Sequence, residues 1–149
     1  MADRPPGIEA VVVDCTDPEA LASFWSRVLG RGVRARFGPY VWLERGDGPV
    51  LGFQRGAGPK TGKNRVHIDL ASPDPAAEQR RIEELGGRRL HRYDEGGFLV
   101  MADPEGNEFC IIPEGSFDID GEGRAHYLDD VEERSGKAGP GAPPSPGGG

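Results

Sequence analysis

The sequence predicts an α+β fold in which one βαβββ unit is written twice. Three observations predict it. An apolar run leads directly into a capped amphipathic helix pattern near residue 8 and again near residue 65. Each helix pattern is followed by three short strand-like runs separated by Gly and Pro. Neither copy holds enough apolar surface to form a core alone, so the two copies are expected to pack together.

The first copy, residues 8–55, opens with IEAVVVDC and continues into TDPEALASFWSRVLG. Thr16 can cap this helix with Glu19 three residues on, and Pro18 suits its first turn, where no amide partner is lost. Leu21, Phe24, Trp25, Val28 and Leu29 recur at helical spacing, and Gly30 supplies the stop. GVRARF, PYVWLER and PVLGFQR then read as strands. The second copy, residues 65–112, opens with RVHIDLA and continues into SPDPAAEQRRIEELGG. Pro75 starts its helix, Ile82 and Leu85 face inward, and Gly86 and Gly87 end it. RRLHRYD, GFLVMAD and NEFCIIP read as its three strands.

Beyond the repeat, residues 114–134 are acidic and Gly-interrupted, and are read as an extension that docks loosely or forms a short helix near its end. Residues 135–149, SGKAGPGAPPSPGGG, cannot bury enough apolar surface to offset the entropy of ordering and read as a disordered tail.

Composition narrows the function. The 149 residues carry a net charge of -7, which repels nucleic-acid phosphates and favours a cationic small molecule over an anionic one. No run of about 18 apolar residues exists to span a membrane. The opening MADRPPGIEA lacks the apolar region of a secretory signal, so the expected compartment is the cytoplasm. Cys15 and Cys110 are then expected to be reduced, buried thiols.

The chemistry-bearing stretch is VHIDL, residues 66–70. In a strand His67 and Asp69 share one face and Val66, Ile68 and Leu70 the other. Two polar groups in an apolar stretch need partners. Either they satisfy each other, or Asp69 orients His67 as a base or as a ligand-binding group. Asp14, in VVVDC, holds a comparable place in the first copy. Among the aromatics Tyr40, Trp42, Phe53 and Phe98, all spaced for strands, Trp42 is the best candidate either to stack on a planar ligand or to fill the core.

The repeat, with DPEALASFWSRVLG early, NRVHIDL central and ADPEGNEFCII late, resembles the vicinal oxygen chelate superfamily, and within it the glyoxalase-like branch. The resemblance covers residues 8–113. It implies two βαβββ modules curling as a curved mixed sheet into an open cup that holds the ligand. Families of this fold include glyoxalase I, extradiol dioxygenases, epimerases, fosfomycin-modifying enzymes and bleomycin-binding resistance proteins. DPEGN has its own physical reading as a turn, with Pro104 fixing φ and Gly106 free to take a left-handed conformation.

Metal-using members place a ligand on the first and last strand of each module. Carried over, these positions fall on His67, on Cys110 (the eighth residue counted from Asp103), on Gln54, and on Ala10 or Val12. One imidazole with an amide and a thiol falls short of what divalent metals require, although Asp14 or Asp69 could stand in. The expectation is therefore no metal and no other cofactor. His67 and Asp69 are the candidate catalytic pair, and Asp14, Trp42, Phe53, Gln54 and Cys110 the candidate pocket. Two functions follow from the resemblance: a glyoxalase-like lyase or isomerase, or a protein that binds a drug or metabolite without turnover. Relatives pair modules across a two-fold axis, so a homodimer is expected.

Overall fold

The computed structural model describes residues 4–56, 58–96, 99–115 and 117–127. Contacts divide them into two compact units, one of residues up to 61 together with 104–106, the other of the remainder.

The first unit runs β1 (Ala10–Cys15), α1 (Pro18–Leu29), β2 (Val33–Phe37), β3 (Tyr40–Leu43) and β4 (Val50–Arg55). Its sheet has the order β1-β4-β3-β2. β1 pairs with β4 in parallel, and the other pairings are antiparallel. The apolar stripe of α1 covers one sheet face: Leu21, Phe24, Trp25 and Val28 are buried, as are Val41, Leu43, Leu51 and Phe53. Phe24 and Trp25 meet edge-to-face at 5.5 Å between ring centres. Gly30 ends the helix at φ 65°, the left-handed conformation that a side chain resists.

The cap of α1 differs from the expected one. Asp17 caps the helix, its carboxylate accepting from the Ala20 amide at 3.1 Å. Thr16 instead donates from its hydroxyl to Glu105 at 3.0 Å. The Thr16 and Asp17 amides also donate to the Glu105 carboxylate, at 2.8 and 3.0 Å. Glu19, freed from a capping box, pairs with Arg36 on β2 at 2.6 Å. That guanidinium, bonded to it, holds the Glu19 carboxyl below its ordinary value.

The second unit runs β5 (Ile68–Ser72), α2 (Pro75–Glu84), β6 (Arg88–Arg89), a 3₁₀ helix (His91–Gly96), β7 (Leu99–Ala102) and β8 (Glu108–Pro113). Its sheet order, β5-β8-β7-β6, repeats that of the first, with β5 and β8 again parallel. Asp74 caps α2 by accepting from the Ala77 amide at 3.0 Å. Ile82, Met101, Phe109 and Ile111 are buried. A second apolar cluster joins Leu90, Val100, Ala102 and Cys110, with Tyr93 packed against it.

RRLHRYD is not the full strand the sequence suggests. Only Arg88 and Arg89 pair as strand, and the chain then turns into the 3₁₀ helix. Asp94 gathers that turn by accepting from Arg89 Nε at 3.1 Å and meeting His91 Nδ1 at 3.0 Å. A local carboxylate that satisfies donors three and five residues back competes with strand extension.

ADPEGN closes the β7–β8 hairpin. Asp103 accepts from the Asn107 amide at 2.9 Å, and Gly106 sits at φ 89°. Beyond the repeat, β9 (Phe117–Ile119) and β10 (Ala125–Tyr127) form an antiparallel hairpin. Residues 117–127 are thus strand and turn. The disordered-tail reading, any helix over residues 128–134, and the placement of Phe98 lie outside the described residues.

Candidate functional site

The second unit brings three of the sequence-predicted residues together. β5 and β8 run parallel with Asp69 and Cys110 as direct partners in register, so their side chains share a sheet face. His67 lies just before β5, its Nε2 3.3 Å from Asp69 Oδ1. One donor atom from each of His67, Asp69 and Cys110 can be chosen so that all lie within 4.8 Å of one another.

Their environments differ. Cys110 is 7% exposed and closes the apolar cluster of Leu90, Val100 and Ala102. His67 and Asp69 are more open, at 32% and 46% side-chain exposure. Burial pushes the Cys110 thiol up to about 12, the negative charge of Asp69 and a hydrogen bond to it add to that rise, and Lys63 pulls the other way. At neutral pH the free group is therefore a thiol that donates to Asp69. Lys63 itself donates to the Asn64 carbonyl at 3.1 Å.

Sequence reasoning missed the support beneath this group. Glu108, 3% exposed on β8, accepts from the Asn64 amide at 2.9 Å and faces Arg92 at 3.9 Å. This anchors the loop three residues before His67. The signal lay in a charged residue opening an otherwise apolar strand, which demands a buried partner.

In the first unit the open sheet face carries Trp42, Gln54 and Asp14. Register places Asp14 beside Gln54, Gln54 beside Tyr40, and Trp42 beside Gly52. Tyr40 and Trp42 stack with ring centres 5.7 Å apart and planes 10° from parallel. Beside them is a cavity of about 470 Å³ lined by Glu9, Ala10, Arg34, Trp42, Arg45 and Val50, among others. Arg45 is paired with Glu9. Asp14 is exposed at the strand end and Gln54 half-buried. Phe53 is a correction: it is fully buried, pointing away from Gln54 into the face that α1 covers.

The metal positions implied by the resemblance divide the same way. Within the first unit Ala10 and Val12 offer no donor and Gln54 only an amide, which does not suit a divalent cation. In the second unit His67, Asp69 and Cys110 offer nitrogen, oxygen and sulfur at separations that a small cation can bridge. They are the set of three such donors found among the described residues.

The repeated βαβββ units and the polar group on the second sheet define a member of the vicinal oxygen chelate superfamily. The chain belongs to the glyoxalase-like domain family, whose model matches residues 10–112. Solved structures share the fold at low identity. A glyoxalase-related enzyme from Fulvimarina pelagi is 18% identical, with 81% of this chain and 97% of that one covered and a TM-score of 0.57. The trypanothione-dependent glyoxalase I of Leishmania major is 16% identical, with 74% and 88% covered and a TM-score of 0.59. A glyoxalase/bleomycin resistance/dioxygenase family enzyme from Burkholderia phytofirmans is 15% identical, with 72% and 98% covered and a TM-score of 0.56. No curated protein matches the sequence. Among the described residues no helix is long and apolar enough to cross a membrane.

Proposed function

We propose that this chain binds a small planar organic molecule on the open face of the first sheet. The observation that carries the reading is the stacked Tyr40–Trp42 pair beside a cavity of about 470 Å³. That volume falls within the range of ligand pockets, roughly 300–1,000 Å³. A third flat ring can extend the stack, and Arg34 at the cavity, where Glu9 already neutralises Arg45, favours an anionic group on it. Local charge thus points away from the cationic ligand that the net charge of -7 suggests. The protein is further proposed to work in the cytoplasm as a homodimer, and a native mass near the 16.0 kDa of one chain would remove the dimer.

The test is tryptophan fluorescence and thermal shift against a panel of planar carboxylates, planar cations and non-planar controls. Planar carboxylates should bind, and Trp42→Ala should weaken them at least roughly tenfold, the scale of one lost aromatic contact. Equal affinity in the variant, or a preference for the cations, would overturn the reading.

His67 and Asp69 at 3.3 Å favour a second reading, a lyase or isomerase in which Asp69 orients His67 to move a proton. Turnover abolished by His67→Ala with the fold intact would support it, whereas turnover that survives this change would exclude it.

A further inference from the structure

We infer that the cavity beside Trp42 selects planar monocarboxylates over planar dicarboxylates, with Arg34 taking the single carboxylate and Glu9 holding Arg45 out of the site. This rests on the small-molecule reading above and narrows it from planar carboxylates in general to one charge class. The two guanidiniums at the cavity are in different states. Arg45 is satisfied from within: Nη2 is bonded to the Glu9 carboxylate, and Nη1 donates to the Gly48 carbonyl at 3.3 Å. Arg34 is exposed and has no hydrogen-bond or ion-pair partner among the described residues. Arg36, two residues on, is already paired with Glu19.

Strand order separates the two charges. The sheet runs β1-β4-β3-β2, and the cavity reaches from Glu9 and Ala10 on the β1 side to Arg34 and Ala35 on β2. Three strand spacings of about 4.8 Å make that width roughly 14 Å. The Glu9 backbone is held at the far edge, where its carbonyl accepts from the Val50 amide at 2.9 Å, and Arg45 reaches its carboxylate from just beyond β3. β2 delivers Arg34 through an irregular step. Val33 lies opposite Leu43 and Ala35 opposite Trp42, so two residues of β2 match one of β3. Arg34 is the extra residue, and a bulge of this kind re-aims the side chain it carries. It lines the cavity together with Ala35, the cross-strand partner of Trp42.

Ligand charge follows from that arrangement. Tyr40 lies opposite Gln54 and Trp42 opposite Gly52, so Val50 falls on the side of Trp42 away from Tyr40. A ring placed there stacks on the Trp42 face that Tyr40 leaves open, with the paired Ala10 and Val50 beneath it. A carboxylate in the plane of that ring meets Arg34, whose planar fork suits two parallel hydrogen bonds. A second carboxylate on the opposite edge points at Glu9 and Arg45. It meets a carboxylate already there and a guanidinium already neutralised, so it sheds water without gaining a partner. Glu9 is thus the repulsive element that separates the two ligand classes.

The experiment measures, by titration calorimetry on the full chain, the affinities of terephthalate and of its monomethyl ester, which share a ring and differ by one charge. The ester should bind at least roughly fivefold more tightly, the scale of one exposed charge interaction. Glu9→Gln should free Arg45 and move the ratio of the two affinities at least roughly fivefold toward terephthalate. Adding Arg45→Gln to Glu9→Gln should cancel that shift. Arg34→Gln should weaken the ester at least roughly tenfold, the scale of a lost hydrogen bond to a charged group. All three side chains are exposed, so the variants should fold, and circular dichroism checks that they do. Terephthalate bound as tightly as the ester by the wild type, a ratio unmoved by Glu9→Gln, or ester binding unchanged in Arg34→Gln would overturn the inference. If the ester is nonetheless lost in Trp42→Ala, the ring site stands and only its charge rule falls. A wild-type protein that binds neither compound removes both.

Discussion

The ring of Trp42 lies directly across Gly52 on the open face of the first sheet. A Cβ built at Gly52 would stand 2.3 Å from the ring, a distance that no real side chain tolerates. Gly52 is therefore required by packing, and the seat it gives Trp42 sets the stack with Tyr40. Gly52→Ala should push the ring off its seat and cost about 1–3 kcal/mol by overpacking. Urea unfolding measures the cost, and the tryptophan emission of the folded variant should shift. Unchanged stability together with unchanged emission would show that the ring does not depend on Gly52.

Glu105 collects three donors: the Thr16 hydroxyl and the amides of Thr16 and Asp17. A carboxylate at the start of α1 also meets the positive end of the helix. Glu105→Ala should therefore cost about 1–2 kcal/mol, the scale of a lost charge-assisted cap. Hydrogen exchange should localise the loss to the first turn of α1. Faster exchange confined to residues near 105, with α1 unaffected, would show that Glu105 closes only its own turn.

His67 and Asp69 form an open pair, not a buried one. Pairs of this exposure contribute about 0–1 kcal/mol. His67→Ala should leave the urea midpoint of the metal-free protein nearly unchanged while altering whatever the site binds. A loss above about 2 kcal/mol would instead mean that the imidazole carries structure, since only a buried polar network costs that much.

Much of the fold was legible because its signals are local. Pro18 and Pro75 at helix starts, the apolar spacing from Leu21 to Val28, and the Gly30 stop each act within a few residues. The misreadings arise where a distant partner decides. Thr16 looks like a cap until Glu105, 89 residues on, takes its hydroxyl. The Asp69–Cys110 pairing depends on ladder register, which neither strand encodes alone. Phe53 was a different case: it and Gln54 are adjacent in one strand, so alternation forbids both from facing the same pocket. RRLHRYD alternates well enough to pass for a strand, and only the hold of Asp94 on Arg89 and His91 reveals the turn.

That hold should depend on pH. Hydrogen bonding to His91 and then to Arg89 keeps the Asp94 carboxyl below its ordinary value of 3.8. A carboxyl whose folded value is depressed contributes stability above its unfolded value and loses it as the pH falls through the folded one. The 3₁₀ segment should therefore be intact at neutral pH and begin to loosen only below about pH 4, the ordinary carboxylate range. Because the group is exposed, the effect should be local and should weaken in high salt. Carboxyl-detected NMR reads the midpoint directly, and amide exchange over residues 91–94 reads the loosening. Asp94→Asn should reproduce the acid behaviour at neutral pH, with exchange raised in that segment and unchanged in α2. A midpoint at or above 3.8, or an Asp94→Asn protein with wild-type exchange there, would mean that the turn is held by its backbone and that Asp94 merely decorates it.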